Sequence, residues 1–299
     1  MSPTAKEIVP AVAAHVRERY VLADQGAAMA DALLSHVDEF AGLDGAALCD
    51  AVTEALRTVC PDRHLRVIWH EEAVPRYEGD RWDDPQSLVS YWAGARLDNH
   101  GVYRVERLPG NVGYLDLRSI DEAEQTAPTI AAAMALLQHT GALLLDLRHN
   151  NGGAPSGAAF LCSFFFGPAP VHVNDVHDRA TESVHQYWTS PHLPGPRYLD
   201  RDVFVLTSAE TFSAAEEVAY NLQQLRRATI VGEVTRGGAH PVGEFWLHPQ
   251  ASIRVPVARS VNPVSGTNWE GVGVAPDVAV SAGEAFDEAY AAALRSVLA

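Results

Sequence analysis

Lysine is nearly absent from this chain of 299 residues, in which Lys6 is the only lysine beside 21 arginines. A P-loop nucleotide-binding enzyme needs a lysine at the end of its glycine-rich loop, and a Schiff-base enzyme needs a buried, reactive lysine. Lys6 lies near the amino terminus and follows no glycine-rich loop. The composition therefore excludes both classes of enzyme.

Cysteines and long apolar runs are also scarce. The three cysteines, Cys49, Cys60 and Cys162, are too few and too scattered for a disulfide framework or a zinc cluster. The first 25 residues lack the apolar core of a signal peptide, and no stretch reaches the roughly 18 apolar residues of a membrane span. We therefore expect a soluble, cytoplasmic protein with no membrane partner.

Positive charge is in deficit, since 38 acidic residues face 22 basic ones and the net charge is −16 at pH 7. A chain this acidic does not release counterions from a nucleic-acid backbone, so no nucleic-acid partner is expected. No histidine pair has the spacing of a helical zinc motif, and we predict neither a metal nor another cofactor. With 47% apolar and 20% charged residues, the chain is expected to be globular.

The spacing of apolar residues divides the chain into three parts. Apolar residues recur every three or four positions over residues 5–60, which predicts helices. Residues 74–99 are polar, aromatic and low in periodicity. We therefore predict a helical amino-terminal domain at 1–73, a connector or lid at 74–105 and an α/β domain at 106–299.

Strand and helix patterns alternate through the third part of the chain. The strands are predicted at 112–117, 142–147, 203–206 and 229–231, and the helices at 127–139, 156–166 and 214–225. This alternation predicts an α/β domain with a largely parallel sheet. In such sheets, sites form at the carboxyl ends of the strands, next to helix amino termini.

Ser213 lies where a buried strand and a helix are predicted to meet. The strand ends at Leu206 and the helix begins at Ala214, so the Ser213 hydroxyl group lies at a helix amino terminus. Free backbone N–H groups there can hold an oxyanion, and the positive end of the helix favours negative charge. The alternative is a structural cap, because Ser213 and Glu216 form a capping-box pattern.

A second candidate segment runs from a buried strand into two glycines. Asp146 and Arg148 lie at the end of the strand, and Gly152 and Gly153 follow before the next helix. Glycines let the backbone approach a ligand closely and present its N–H groups. The alternative is an ordinary strand-to-helix turn in which Asp146 and Arg148 bond for structural reasons.

His64, His240 and Glu270 complete the set of candidates. His64 follows the last amino-terminal helix and is either a catalytic base or a partner of the helix dipole. His240, 27 residues after Ser213, is a reserve candidate for the base. Glu270 lies beside a glycine turn, where a solvated glutamate is the alternative.

Five segments carry these candidates in a fixed order along the chain. They are DRHL (62–65), DLRHNNGG (146–153), TSAETFSAAEEVAY (207–220), ATIVGEVTRGGAHP (228–241) and NPVSGTNWEGVGVAPD (262–277). Together they resemble the serine peptidase family that contains the carboxy-terminal processing (tail-specific) proteases, the tricorn core protease and interphotoreceptor retinoid-binding protein. The likeness is strongest for small bacterial members of the retinoid-binding-protein-like branch and covers nearly the whole chain.

The resemblance implies a ClpP/crotonase-like α/β catalytic domain preceded by a small helical domain. Many relatives carry a PDZ domain between these parts, but only about 45 residues separate His64 from Gly110, which is too few for one. Carried over by position, Ser213 is the nucleophile. The backbone N–H groups of Gly152 and Ala214 then form the oxyanion hole.

The resemblance also implies which base serves Ser213. The processing-protease branch uses a lysine 25 residues after its serine, and that position here is Gly238. The tricorn-like branch uses an early histidine and a late glutamate, and His64 and Glu270 match those positions. His64 would accept the proton of Ser213, and Glu270 would orient the imidazole.

The resemblance therefore predicts a peptidase-type serine hydrolase that cleaves peptides through an acyl-enzyme. Arg63 and Asn151 stand where relatives often have glycine, which would tighten the pocket or mark lost activity. One alternative is a non-catalytic binding module in which the apolar run 158–166 lines a pocket for an apolar ligand. Another is an acyl transferase or cyclase with the same nucleophile. The expected partner is a peptide or a small acyl substrate, and no oligomeric state is predicted.

Overall fold

A computed structural model describes residues 3–298 of the chain. Within these residues the α-helices are α1 (Ala5–Arg19), α2 (Ala23–Ser35), α3 (Gly45–Val59), α4 (Pro85–Leu97), α5 (Ala123–Leu137), α6 (Pro155–Ser163), α7 (Ala214–Gln224) and α8 (Ala285–Leu298). The β-strands are β1 (Arg66–Trp69), β2 (Val102–Leu108), β3 (Val112–Leu117), β4 (Ala142–Asp146), β5 (His172–Asp178), β6 (Val184–Trp188), β7 (Val203–Thr207), β8 (Thr229–Gly232), β9 (Val242–His248), β10 (Ala251–Pro256), β11 (Ala258–Val261) and β12 (Val278–Ala279).

The described residues form two compact units, each assembled from separate segments of the chain. The helical unit comprises residues 3–92, 176–185 and 240–259. The α/β unit comprises residues 93–175, 186–239 and 260–298. The predicted boundaries, in contrast, are contiguous in sequence, and they stay a prediction about domain organisation.

The helical unit contains helices α1 to α3 and an antiparallel sheet of order β1–β10–β9, and the helices and the sheet share one core. Helix α3 shows how its sequence produces this packing, because Leu48, Val52 and Leu56 recur at four-residue spacing and are fully buried. They share one core with Phe245 and Ile253 of the sheet. Burial of each such side chain contributes about 1.5–3 kcal/mol, so this shared core stabilises the helices more than local propensity does.

The α/β unit contains a six-stranded sheet of order β12–β8–β7–β4–β3–β2, in which only β2 runs antiparallel to its neighbour. Alternate residues of its central strands enter opposite layers. Leu143 and Val205 lie in the core that contains α5, α6 and α7 residues, whereas Leu144 and Leu206 pack with α8. Because both faces are covered, the strands are continuous apolar runs in the sequence. A further sheet has the order β11–β5–β6.

The predicted α/β class with a helical amino-terminal part is confirmed. The strands expected at 112–117 and 142–147 are β3 and β4. The segment 74–99, in contrast, contains a helix, α4, that the sequence did not indicate. None of the α4 residues is buried, so the helix needs no apolar stripe and leaves no periodic signal in the sequence.

The apolar run 158–166 and the three cysteines both lie in the interior of the protein. The apolar run 158–166, which the binding-module alternative assigns to a ligand pocket, contributes Leu161 and Phe164 to the core of the α/β unit, where both are almost fully buried. The cysteines Cys49, Cys60 and Cys162 are all buried, and none of them forms a disulfide within residues 3–298. Among residues 3–298, no helix has both the length and the apolar character that crossing a bilayer requires.

Candidate active site

Ser213 stands between β7 and α7 in a backbone conformation that serine rarely adopts. Its φ is 55° and its ψ is −123°, whereas a residue that only caps a helix normally has β-region angles. A non-glycine residue at such angles costs of order 1–3 kcal/mol and persists only where its surroundings enforce it. A serine on a strained strand-to-helix turn is the arrangement of a nucleophile elbow.

Gly152 packs directly against the Ser213 turn. A β-carbon at Gly152 would lie 2.6 Å from the Ser213 β-carbon and 3.0 Å from the Ala214 nitrogen, and the φ of Gly152 is +97°. The Phe212 N–H also donates to the Asn150 carbonyl oxygen at 3.0 Å. Both the close approach and the positive φ require glycine at position 152. The close approach and the bond between Phe212 and Asn150 bring together the two candidate segments predicted from the sequence.

The two predicted oxyanion donors differ in their hydrogen bonds. The Ala214 N–H opens α7 and has no acceptor among residues 3–298. The Gly152 N–H donates to Asn150 Oδ1 at 2.8 Å, and Asn150 is itself fixed because its Nδ2 donates to the Leu117 carbonyl oxygen at 2.8 Å. Ala214 is therefore the open donor, and Gly152 would serve an oxyanion only by sharing or leaving its bond to Asn150.

Glu216 fastens the Ser213 turn to a second loop. Its fully buried carboxyl group accepts the N–H of Ser213 at 2.8 Å, as the capping-box pattern predicts. It also accepts the Thr235 hydroxyl at 2.5 Å and the N–H groups of Gly237 and Gly238 at 2.6 and 2.8 Å. Burial raises the pKa of this carboxyl group, against the opposing effect of these donors.

Glu270 is attached to the same loop from another side. Its carboxylate accepts the Ala239 N–H at 2.5 Å, one residue before His240 in the chain. The preceding Trp269 is buried and donates its indole N–H to the Gly238 carbonyl oxygen at 2.8 Å. Glu270 is therefore held in place rather than solvated in a free turn.

In the helical unit, one buried carboxylate binds both candidate histidines. Asp62 Oδ1 accepts the backbone N–H of His64 at 2.9 Å, and Asp62 Oδ2 lies 2.8 Å from Nδ1 of His240. The hydroxyl group of Tyr20 donates to the same Oδ2 at 3.0 Å. Asp62 is 3% exposed, so these partners replace the water that its charge would otherwise require.

The Asp62 carboxyl group remains acidic in spite of its burial. Burial alone would raise its pKa, but the hydrogen bond and charge of His240, assisted by His64, hold the pKa below its usual range. An ionised Asp62 orients the His240 ring through Nδ1, as the aspartate of a serine-protease triad orients its imidazole. Asp62 is not among the predicted site residues, although it lies two positions before His64 in the DRHL segment.

Asp146 and Arg148 have the structural role that was the alternative to a site. The Arg148 guanidinium bonds both oxygens of Asp146, at 2.9 and 2.6 Å, and also donates to the Ala282 carbonyl oxygen at 2.7 Å. Tyr114 donates to the same carboxylate at 2.8 Å. These groups stabilise the end of β4 and are not available to a substrate.

The predicted site residues thus fall into two described groups. Within the α/β unit, Ser213, Gly152 and Ala214 meet at the carboxyl ends of β4 and β7, as the sequence predicts for a parallel sheet. Within the helical unit, His64 and His240 share Asp62. The two departures from the family pattern, Arg63 and Asn151, are both exposed residues.

A sequence profile of peptidase family S41 matches residues 111–280. The chain is also 31% identical over 184 residues to the carboxy-terminal-processing protease of Bartonella bacilliformis, a match that covers 60% of this chain and 40% of that protein. The chain spans less than half the length of the curated relatives that it matches.

Solved structures share the fold along nearly the whole chain. A lipoprotein from Streptococcus agalactiae superimposes with a TM-score of 0.61 at 15% identity, covering 98% of this chain and 97% of that one. The tricorn protease superimposes with a TM-score of 0.60 at 11% identity, covering 99% of this chain and 37% of that one. At these identities the likeness concerns the fold alone.

Proposed function

This chain belongs to peptidase family S41, and from that premise we propose that it is a serine-type peptidase that cleaves short or carboxy-terminal peptide segments. The proposal extends to the chemistry, in which Ser213 forms an acyl-enzyme with the substrate. It is supported by the names of the curated relatives, which describe carboxy-terminal processing.

The backbone of Ser213 is the observation that carries this proposal. A residue that only caps a helix normally adopts β-region angles. A capping role therefore does not explain the φ of 55° at Ser213. The strain is maintained by the close approach of Gly152 and by the bond from the Ser213 N–H to Glu216. A hydroxyl group fixed at the amino terminus of α7, where backbone N–H groups are free of helix bonds, suits a nucleophile.

The proposed reaction follows the logic of a catalytic triad. Ser213 Oγ attacks the peptide carbonyl carbon while His64 accepts its proton, and the Ala214 N–H stabilises the oxyanion. The protonated imidazole then donates that proton to the leaving amine, the carbon–nitrogen bond breaks, and the acyl-enzyme remains. Water, deprotonated by the same histidine, attacks the acyl-enzyme, and the proton returns to Ser213 as the new carboxyl terminus leaves.

The base and its support are assigned as the family resemblance implies, with His64 as the base and Glu270 as the supporting carboxylate. His240 is the second candidate for the base, because Asp62 holds its Nδ1 at 2.8 Å and thereby leaves Nε2 as the nitrogen that can accept a proton. Both assignments use the same nucleophile, and single substitutions of the two histidines distinguish them.

A peptide-cleavage experiment tests the proposed activity. The folded wild-type protein and Ser213→Ala are each incubated with a mixture of synthetic peptides with free carboxyl termini, and mass spectrometry identifies the new termini. We expect cleavage products from the wild type and none from Ser213→Ala. Equal product patterns from both proteins, or no product from folded wild type, would reject the assignment.

A further inference from the structure

Asn150 is a fully buried polar residue to which the proposed reaction gives no role. It follows β4 in the loop that carries Gly152, and both residues belong to the α/β unit. Because its side chain is 0% exposed, a bound substrate does not reach it. Asn150 nevertheless makes hydrogen bonds to the end of β3, to Gly152 and to the loop that carries Ser213.

The two neighbours of the Asn150 amide allow only one orientation of it. Nδ2 donates to the Leu117 carbonyl oxygen at 2.8 Å, and Oδ1 accepts the Gly152 N–H at 2.8 Å. A flipped amide would place its NH2 group against the Gly152 N–H and its oxygen against the Leu117 oxygen, which pairs donor with donor and acceptor with acceptor. The amide therefore connects the end of β3 to the Gly152 turn (residues 151–153).

The backbone of Asn150 extends this connection to the loop of the candidate nucleophile. Its carbonyl oxygen accepts the Phe212 N–H at 3.0 Å, and Phe212 directly precedes Ser213. Gly152 approaches the same loop so closely that a β-carbon on it would lie 2.6 Å from the Ser213 β-carbon. One residue thus fixes both the Gly152 turn and the backbone that leads into Ser213.

The Gly152 turn has a second attachment, which is made by backbone groups. The Gly152 carbonyl oxygen accepts the Ile120 N–H at 2.9 Å, and the Ile120 carbonyl oxygen accepts the Ala154 N–H at 2.6 Å. These bonds hold one side of the turn, while the Gly152 N–H is held by the side chain of Asn150. The attachment through Asn150 is therefore the one that a substitution can remove.

We propose that Asn150 is a positioning residue of the peptidase reaction, whose amide fixes the Gly152 turn beside Ser213. A displacement of about 1 Å at a reacting centre lowers a rate by about 10²-fold, so the amide should affect turnover more than substrate binding. This effect on catalysis rests on the proposed function of Ser213. The hydrogen bonds of the amide do not rest on it.

Fluorophosphonate labelling of Ser213 in two variants tests the positioning. Asn150→Ala removes both amide bonds and should lower the labelling rate per folded molecule about 100-fold. Asn150→Ser should lower it less, about tenfold, because a serine hydroxyl group can accept the N–H two residues on but is too short to reach Leu117. In peptide cleavage, Asn150→Ala should lower kcat and leave KM unchanged, since the buried amide is out of reach of the substrate.

Ser208→Ala is the matched control for a purely structural effect. The Ser208 hydroxyl joins the same two loops through the Arg148 carbonyl oxygen at 2.5 Å, so its removal leaves the Gly152 turn attached to Asn150. This variant should lose stability and still label at the wild-type rate per folded molecule. If Asn150 only stabilised the fold, its variants would behave in the same way.

An NMR measurement on the wild-type protein tests the central hydrogen bond without any catalytic assay. A coupling through the hydrogen bond should join the Gly152 amide nitrogen to Cγ of Asn150. The Leu147 amide nitrogen, 3.0 Å from the Leu206 carbonyl oxygen, should show the corresponding coupling and serves as the internal reference. The reference coupling without the Gly152 coupling would overturn the proposal, whether or not any variant folds.

The outcomes separate this inference from the proposed function. If the wild type does not label, the proposed function fails, and the NMR coupling still decides whether Asn150 holds Gly152. A wild-type labelling rate in folded Asn150→Ala would overturn the positioning, as would an equal loss in Ser208→Ala. If Asn150→Ala does not fold, Asn150→Ser takes its place, and a wild-type rate in that variant would be the contradicting result.

Discussion

The carboxyl groups of Asp62 in the helical unit and Glu217 in the α/β unit are almost equally buried, at 3% and 2% exposure. Their pKa values nevertheless move in opposite directions. Asp62 has an imidazole at 2.8 Å and keeps its charge, whereas Glu217 has only neutral amides beside it and is pushed toward the protonated form. Burial acts alike on both, so the neighbouring groups decide the charge of each.

Glu216, next to Glu217 in the chain, shows what backbone donors add to this comparison. It is also buried, and burial raises its pKa, but four donors surround its carboxyl group and oppose that rise. The Ser213 turn is thus held by a buried carboxyl group that backbone N–H groups bind. The candidate bases, in contrast, are held by the buried carboxylate of Asp62. Acidic and alkaline conditions should therefore affect the two units differently.

Removal of the Ser213 hydroxyl group has the largest expected effect. Ser213→Ala should abolish peptide cleavage, while the free energy of unfolding changes by no more than the roughly 0.5–2 kcal/mol of a lost cap. Ser208→Ala is the matched control, because Ser208 is another serine of the same loop whose hydroxyl only bonds backbone groups, at the Arg148 carbonyl oxygen and the Glu210 N–H. Cleavage that persists in folded Ser213→Ala would make Ser213 a cap and nothing more.

The candidate bases are the next most sensitive positions. His64→Ala should lower turnover by about 10²–10⁴-fold, the contribution of a general base. His240→Ala should cost less activity if its contact with Asp62 only supports the site. The reverse order of the two losses would transfer the role of the base to His240, and equal wild-type rates in both variants would remove histidine from the mechanism.

Asp62→Asn sharpens the contrast between the two buried carboxyl groups. It removes a buried charged acceptor of hydrogen bonds and should lower the free energy of unfolding at pH 7 by about 1.5–3 kcal/mol. Because the folded pKa of Asp62 is depressed, its stabilising effect is complete above the unfolded pKa of about 3.9 and is lost as the pH falls through the folded value.

Urea unfolding of Asp62→Asn and wild type between pH 3 and 7 measures this effect. The stability difference should shrink at the acidic end, whereas that of Glu217→Gln should change between pH 5 and 8. If the Asp62→Asn difference stayed constant down to pH 3, Asp62 would not be an ionised partner of His240.

Glu270→Gln should have a smaller effect on turnover, below about 100-fold, because an orienting group contributes less than the base itself. The glutamine oxygen can still accept the Ala239 N–H, so stability should change little. The kcat of this variant under saturating peptide is the quantity to measure. A loss as large as that of His64→Ala would give Glu270 a direct part in proton transfer.

Lys6→Met has the smallest expected effect, since a histidine-based mechanism makes no use of the one lysine. The predicted result is unchanged kcat/KM and unchanged unfolding. Inactivation of the folded variant would instead indicate a serine–lysine mechanism.

The sequence predicts the sheet and the placement of Ser213 between a strand and a helix well, because buried parallel strands leave continuous apolar runs and Ser213 follows one of them. It does not predict the positive φ of Ser213, since a serine before a helix usually adopts β-region angles. That conformation depends on Gly152, 61 positions earlier in the chain.

The polar interior is the part that sequence patterns do not reveal. Glu216 and Glu217 would be assigned to an exposed helix face by hydropathy alone, yet both are buried. The partner of Asp62, His240, is 178 positions away along the chain. Such contacts are set by tertiary packing and leave no periodic signal.

Mapping a fluorophosphonate adduct on the wild-type protein tests the central claim most directly. Digestion and mass spectrometry should find one adduct, on Ser213, and Ser208→Ala should give the same adduct while Ser213→Ala gives none. An adduct on another serine, or no adduct on the folded protein at any pH, would contradict the assignment of Ser213 as the nucleophile.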